Sequence, residues 1–185
     1  DLLLEAFAAA APALPSQHLV LAGIDEGMGP PVQEAARRHG LAERVHLPGL
    51  EKALKDFPKT VFIGHSPAFW CEIDAAVRQN QREGYPKGPI ARKGRLWHLM
   101  DKYPNLYADL SAGSGHNALS RDPARGIEFL KRYSRRCLFG TDRFSRGEPL
   151  PAIITLLKIA LAGGKLTRCE FDDITYRNFR RLAKL

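Results

Sequence analysis

The sequence predicts an α/β fold, a mostly parallel sheet of about five strands with helices on both faces. Two observations lead there. Short apolar runs near Leu19, Val45, Val61, Leu106 and Leu138 alternate with segments of helical periodicity, and that order calls for parallel pairing through right-handed crossovers. Some of these runs then stop at a small residue and present a polar side chain, as in Cys137-Leu138-Phe139-Gly140-Thr141-Asp142-Arg143 and Val61-Phe62-Ile63-Gly64-His65. In parallel α/β folds chemistry gathers at that end of the strands. At 185 residues the chain is shorter than the roughly 200 that a closed (β/α)8 barrel takes, so the expected form is an incomplete barrel or an open Rossmann-like sheet. A part-barrel would cover its open edges by forming a homodimer.

Taken in order, Asp1 to Leu14 reads as a helix from Leu2, Leu3, Phe7 and the alanine run, closed by Pro12 and Pro15. His18 to Gly23 is a strand, Asp25 to Gly29 a turn, and Pro31 to His39 a helix that Gly40 stops. The strand and turn at Gly23 could approach a phosphate, or the glycine simply lets the strand turn into the helix. Arg44 to Leu47 is a strand ended by Pro48-Gly49, and Glu51 to Asp56 a short helix. After the Val61 strand, Pro67 marks 66–73 as a loop, and the polar stretch from Arg78 to Lys93 reads as a surface excursion. An amphipathic helix from Gly94 to Lys102 leads to a strand from Leu106 to Ser111. The small residues from Ala112 to Leu119 read as a loop able to bring amides near a ligand. A helix from Pro123 to Tyr133, the Cys137 strand, a helix from Leu150 to Ala162, the Gly163-Gly164 break and a helix from Glu170 to Leu185 complete the chain.

No apolar run approaches the roughly 18 residues that span a bilayer, so no membrane role is expected. The three cysteines, Cys71, Cys137 and Cys169, are odd in number and widely spaced, which points to free thiols and a cytoplasmic setting. The chain opens at Asp1 in a helical pattern with no initiator methionine, as a fragment would. A net charge of +8 raises the question of nucleic acid. The basic residues interleave with apolar ones at helical spacing, as around Ile127, Phe129, Leu130 and Tyr133, and no aromatic platform accompanies them, so nucleic acid is not the expected partner.

Two resemblances divide the chain near Pro48 to Leu50. The run LLLEAFAAAAPALPSQHLVLAGIDEGMGPPVQEAARRHGLAERVHLPG resembles the first part of the nucleotide-sugar-binding half of a GT-B retaining glycosyltransferase, so residues 1–49 read as a glycosyltransferase-like segment. The basic residue and paired glutamates that hold the sugar nucleotide in that family have no counterpart here. From residue 50 to 185, FPKTVFIGHSPAFWCEI, LMDKYPNLYADLSAGSGHNALSRDPARGIEFLKRY, CLFGTDR and ITYRNFRRLAKL resemble the C-terminal half of the metal-dependent amidohydrolase-related family of (β/α)8-barrel hydrolases. The two segments are expected to form one structural unit.

The second resemblance implies a divalent metal, zinc first, whose bound water ionises near neutral pH. It casts Asp142 as the last-strand aspartate that binds metal or water and acts as a base, and His65 as the histidine that meets the metal-bound water or the substrate. Asp109, Ser111, Ser114, His116, Asn117 and Trp70 would face the same mouth, with Arg121 or Arg143 holding a small anionic substrate. The family's His-x-His pair is missing, because none of the six histidines forms one, and the front half of a barrel is absent. His46, on the strand before His65, is the candidate third ligand beside His65 and Asp142. The expectation is thus a metal-dependent hydrolase by descent, weak or inactive as an isolated chain. A noncatalytic recombined α/β fragment and a sugar-nucleotide-binding module are the alternatives.

Overall fold

A computed structural model of the chain describes residues 2–21, 29–47, 49–82, 84–143, 145 and 147–184, with the side chains of Leu2 and Gln79 left aside. The chain forms two compact units, Asp1–Pro58 and Lys59–Leu185. Mixed α/β structure is present in both, and every strand pair among the described residues is parallel. The five strands hydrogen-bond as a pair in the first unit and a trio in the second, and no barrel closes among the described residues. No described helix is long and apolar enough to cross a membrane.

The first unit runs α1 (Leu2–Ala10), β1 (Leu19–Val20), α2 (Gly29–Arg38), β2 (Val45–His46) and α3 (Leu50–Asp56). Its core is the apolar face that the alanine and leucine spacing defines, with Leu4, Ala11, Val32, Ala35, Ala36, Leu41 and Val45 buried together. The carbonyls left open where α1 gives way to Pro12 and Pro15 are met by Arg44. Its guanidinium donates to Ala11 O at 3.2 Å, Leu14 O at 2.5 Å and Gln17 O at 2.8 Å, and lies over the Phe7 ring. Gly23 and most of the turn that follows it, residues 22–28, lie outside the described residues. The unit ends at Pro58, beyond Gly49 where the sequence changes character, and a cleft in it is lined by Ala36 of α2, by Val45, Gly49 and Phe57, and by Lys52 of α3.

The second unit contains β3 (Phe62–Gly64), α4 (Ser66–Trp70), α5 (Arg95–Lys102), β4 (Leu106–Asp109), α6 (Ala112–Ser120), α7 (Pro123–Arg132), β5 (Cys137–Leu138), α8 (Ile153–Ala162), α9 (Arg168–Asp172) and α10 (Asn178–Ala183). The sheet order is β3-β4-β5, with Phe62 opposite Leu106 and Ala108 opposite Cys137. An aromatic cluster of Trp70, Trp97, Phe129 and Tyr133 fills the core, with Phe129 at 5.6 Å from Trp70, 5.1 Å from Trp97 and 4.8 Å from Tyr133. Fully buried Asn178 donates to Ser134 O and Cys137 O, both at 2.7 Å, and so fixes α10 to the entry of β5.

Three local expectations are corrected. Residues 66–70 are helical, with a 3-10 turn over 71–73, because Pro67 sits in the first helical turn, where it needs no amide hydrogen and its fixed φ favours the helix. Residues 112–120 are also helical despite two glycines. A Cβ on Gly115 would stand 3.0 Å from Leu110 Cα, so close packing on the preceding strand selects glycine there at the cost of helix propensity. The C-terminal helix is interrupted by a π-helical stretch at Asp173–Arg177, and Ile174 O accepts from Phe139 N at 3.0 Å, extending the line of β5. The stretch from Arg78 to Lys93 is mainly irregular, as its composition predicts. Its second half is held by Arg121, Asn117 and Asp74.

Candidate active site

Parallel pairing brings the C-terminal ends of β3, β4 and β5 to one edge, and the register sets Gly64 beside Ala108 and Asp109 beside Leu138. His65, one residue past β3, therefore meets Asp109, the last residue of β4. His65 Nδ1 lies 2.8 Å from Asp109 Oδ2. The same oxygen accepts from Ser111 Oγ at 2.6 Å, Asp109 Oδ1 accepts from Ser111 N at 2.9 Å, and the Trp70 indole donates to the Asp109 carbonyl at 2.9 Å.

These bonds determine the chemistry of the imidazole. A carboxylate only accepts, so Nδ1 carries the proton and Nε2 is left as the basic nitrogen, on a side chain that is 41% exposed. Ser111 Oγ, 3.3 Å from Nδ1, is on the Asp109 side of the ring and gives its proton to the carboxylate. It is thus a positioning group and not a nucleophile activated by His65, which would require contact with Nε2.

Two glycines make this approach feasible. A Cβ on Gly140 would stand 3.1 Å from Ser111 Cβ and 3.3 Å from Asp109 Oδ1, and one on Gly64 would enter the Phe69 ring. Backbone strain collects at the same edge. Ser66 (φ 84°) and Ala112 (φ 58°), after β3 and β4, occupy the left-handed region that serine and alanine usually avoid, and Asp142 (φ 52°), four residues beyond β5, occupies it as aspartate more readily does. At about 1–3 kcal/mol each, such conformations persist only where their surroundings impose them.

Asp142 stands at this edge beyond β5, exposed, with half-buried Arg143 after it. His46 belongs to the first unit, where its Nε2 is 2.7 Å from His18 Nδ1. The ring centroids are 5.0 Å apart and the planes 14° from parallel, so one imidazole donates head-on to the other. Among the described residues no three His, Cys, Asp or Glu side chains group as a metal would require. His65 and Asp142 belong to the second unit, and His46 to the first.

The other sequence candidates have separate places. Trp70, Ser114, Asn117 and Arg121 line a small cavity between α4 and α6. Arg121 is buried there, paired with Asp74 at 3.2 Å and donating to Gly88 O at 2.9 Å, and Asn117 donates to Pro86 O at 3.1 Å. Both side chains hold the excursion down. His116 lines a groove of about 960 Å3 between α6, α7 and α8, where burial lowers its pKa and favours the neutral ring. The pairing of His65 with Asp109, and the Arg121–Asp74 ion pair, were not legible from motifs. The signal for the first was the equivalent position of both residues at the ends of neighbouring strands.

All three cysteines are free thiols, as their spacing predicts, and burial pushes the Cys137 pKa up to about 12. Comparison with protein-family models, characterised proteins and solved structures returned no match.

Proposed function

We propose that the chain is a hydrolase related by descent to the metal-dependent amidohydrolases, with His65 as general base and a small, anionic molecule as substrate. The observation that carries this is the 2.8 Å contact from His65 Nδ1 to Asp109, which leaves Nε2 free to take a proton from water. Asp109 and Ser111 orient the ring. Asp142 and Arg143 would meet the substrate from the β5 side. Zinc, if held by His65 Nε2 and Asp142, would replace the base role of that nitrogen and not act beside it, and without a third described ligand no step is routed through it. In this reading the second unit is part of a (β/α)8 barrel, and low activity is expected.

The test is slow hydrolysis of a small anionic ester, mono-p-nitrophenyl succinate, by the purified chain, with and without zinc. General-base catalysis predicts a loss of about 100-fold or more in His65→Gln. Equal rates for the two proteins would remove His65 from catalysis and favour a noncatalytic fragment. Zinc calorimetry decides the metal separately, with binding that weakens in both His65→Ala and Asp142→Ala as the supporting result.

A second reading draws on the first unit alone. Its cleft of about 610 Å3 is lined by His46 and by Arg37 and Lys52, two cations suited to a sugar nucleotide. Arg37 is already paired with Glu34 and Lys52 with Asp56, which makes this the weaker case. A UDP-sugar or GDP-sugar that raises the melting temperature when zinc does not would support it.

A further inference from the structure

Ser114 Oγ and Arg121 Nε of the second unit are buried with no hydrogen-bond partner among the described residues. Both residues line the small cavity between α4 and α6. Ser114 is 3% exposed and the Arg121 side chain 6%. The guanidinium cannot turn to satisfy Nε, because its terminal nitrogens are bonded to Asp74 Oδ2 and to the Gly88 and Pro89 carbonyls. A buried donor left without an acceptor forfeits its hydration with nothing in return, so two such polar groups at one cavity point to a ligand.

Size and charge identify it. The cavity has a volume of about 10 Å3, at the threshold for one water molecule and too small for a carboxylate or phosphate. Asp74 already neutralises Arg121, so a neutral occupant is favoured over an anion. We propose that this cavity is the site of one internal water, which accepts from Arg121 Nε–H and exchanges a hydrogen bond with Ser114 Oγ. The water links α6 to the residue that clamps the 84–93 excursion, and the site is independent of the hydrolase reading.

A crystal structure at about 1.8 Å resolution tests this on the unsubstituted chain. The expected result is an isolated density peak within about 2.6–3.2 Å of both atoms. An empty cavity, or Ser114 Oγ bonded to a helix carbonyl instead, overturns the proposal. So does an anomalous peak at this position after a bromide soak, which would make the site one for a halide. In solution, oxygen-17 relaxation dispersion should lose one long-lived water per chain in Ser114→Val, and an unchanged count refutes the assignment. If Ser114→Val does not fold, Ser114→Ala is read crystallographically, and the water should remain on Arg121 with one partner fewer.

Discussion

At the residue scale the central question is which nitrogen of His65 is basic. Asp109 answers it, since a carboxylate facing Nδ1 selects the tautomer of the neutral ring in which Nδ1 carries the proton and Nε2 the lone pair. Asp109→Asn tests the point, because an amide nitrogen placed toward Nδ1 would reverse the tautomer and move the proton to Nε2. The expected outcome is a loss of hydrolysis close to that of His65→Gln, with the melting temperature within a few degrees of the parent. His116 gives a second residue-scale prediction. Burial lowers its folded pKa from the ordinary 6.5, so the folded state binds fewer protons than the unfolded state. Its contribution is complete above about pH 6.5 and declines as pH falls below that value. The fall in melting temperature between pH 7 and pH 5 should therefore be smaller in His116→Phe than in the parent. Equal slopes would show that His116 does not titrate differently in the two states.

At the element scale, close backbone approach decides where glycine is needed. A Cβ on Gly126 of α7 would stand 1.9 Å from Leu119 O of α6, a backbone atom that cannot rotate away. Gly126→Ala should cost about 2 kcal/mol through forced separation of the two helices, measured by urea unfolding. A change below about 0.5 kcal/mol would mean that α6 and α7 adjust freely. Strand identity was legible because each apolar run is short, and all five expected strands are present. The helices α4 and α6 were not legible. Pro67 reads alike as a breaker and as a first-turn residue, and the glycines of α6 are explained by packing on Leu110 that no local window contains.

At the scale of the whole molecule, each unit has its own buried core, and the division follows Pro58. Both tryptophans, Trp70 and Trp97, lie in the second unit within one aromatic cluster. Residues 59–185 expressed alone should unfold in one cooperative transition, with the tryptophan emission of the full chain before it. A broad transition with red-shifted emission at the outset would show that the second unit depends on the first.

The sequence by itself determined the α/β class, the parallel strands, the free thiols and the offering of His65 and Asp142 at strand ends, because periodicity, turn residues and spacing are local properties. Only tertiary structure decided what those side chains meet. His65 found Asp109 across 44 residues of chain, while Arg121 was committed to Asp74 across 47. Strand register and the direction of each side chain fix such pairings, and neither is encoded in any single stretch. The carboxylate at the end of the last strand was the most visible feature of the sequence, yet the imidazole–carboxylate pair on the neighbouring strands is what the fold assembled.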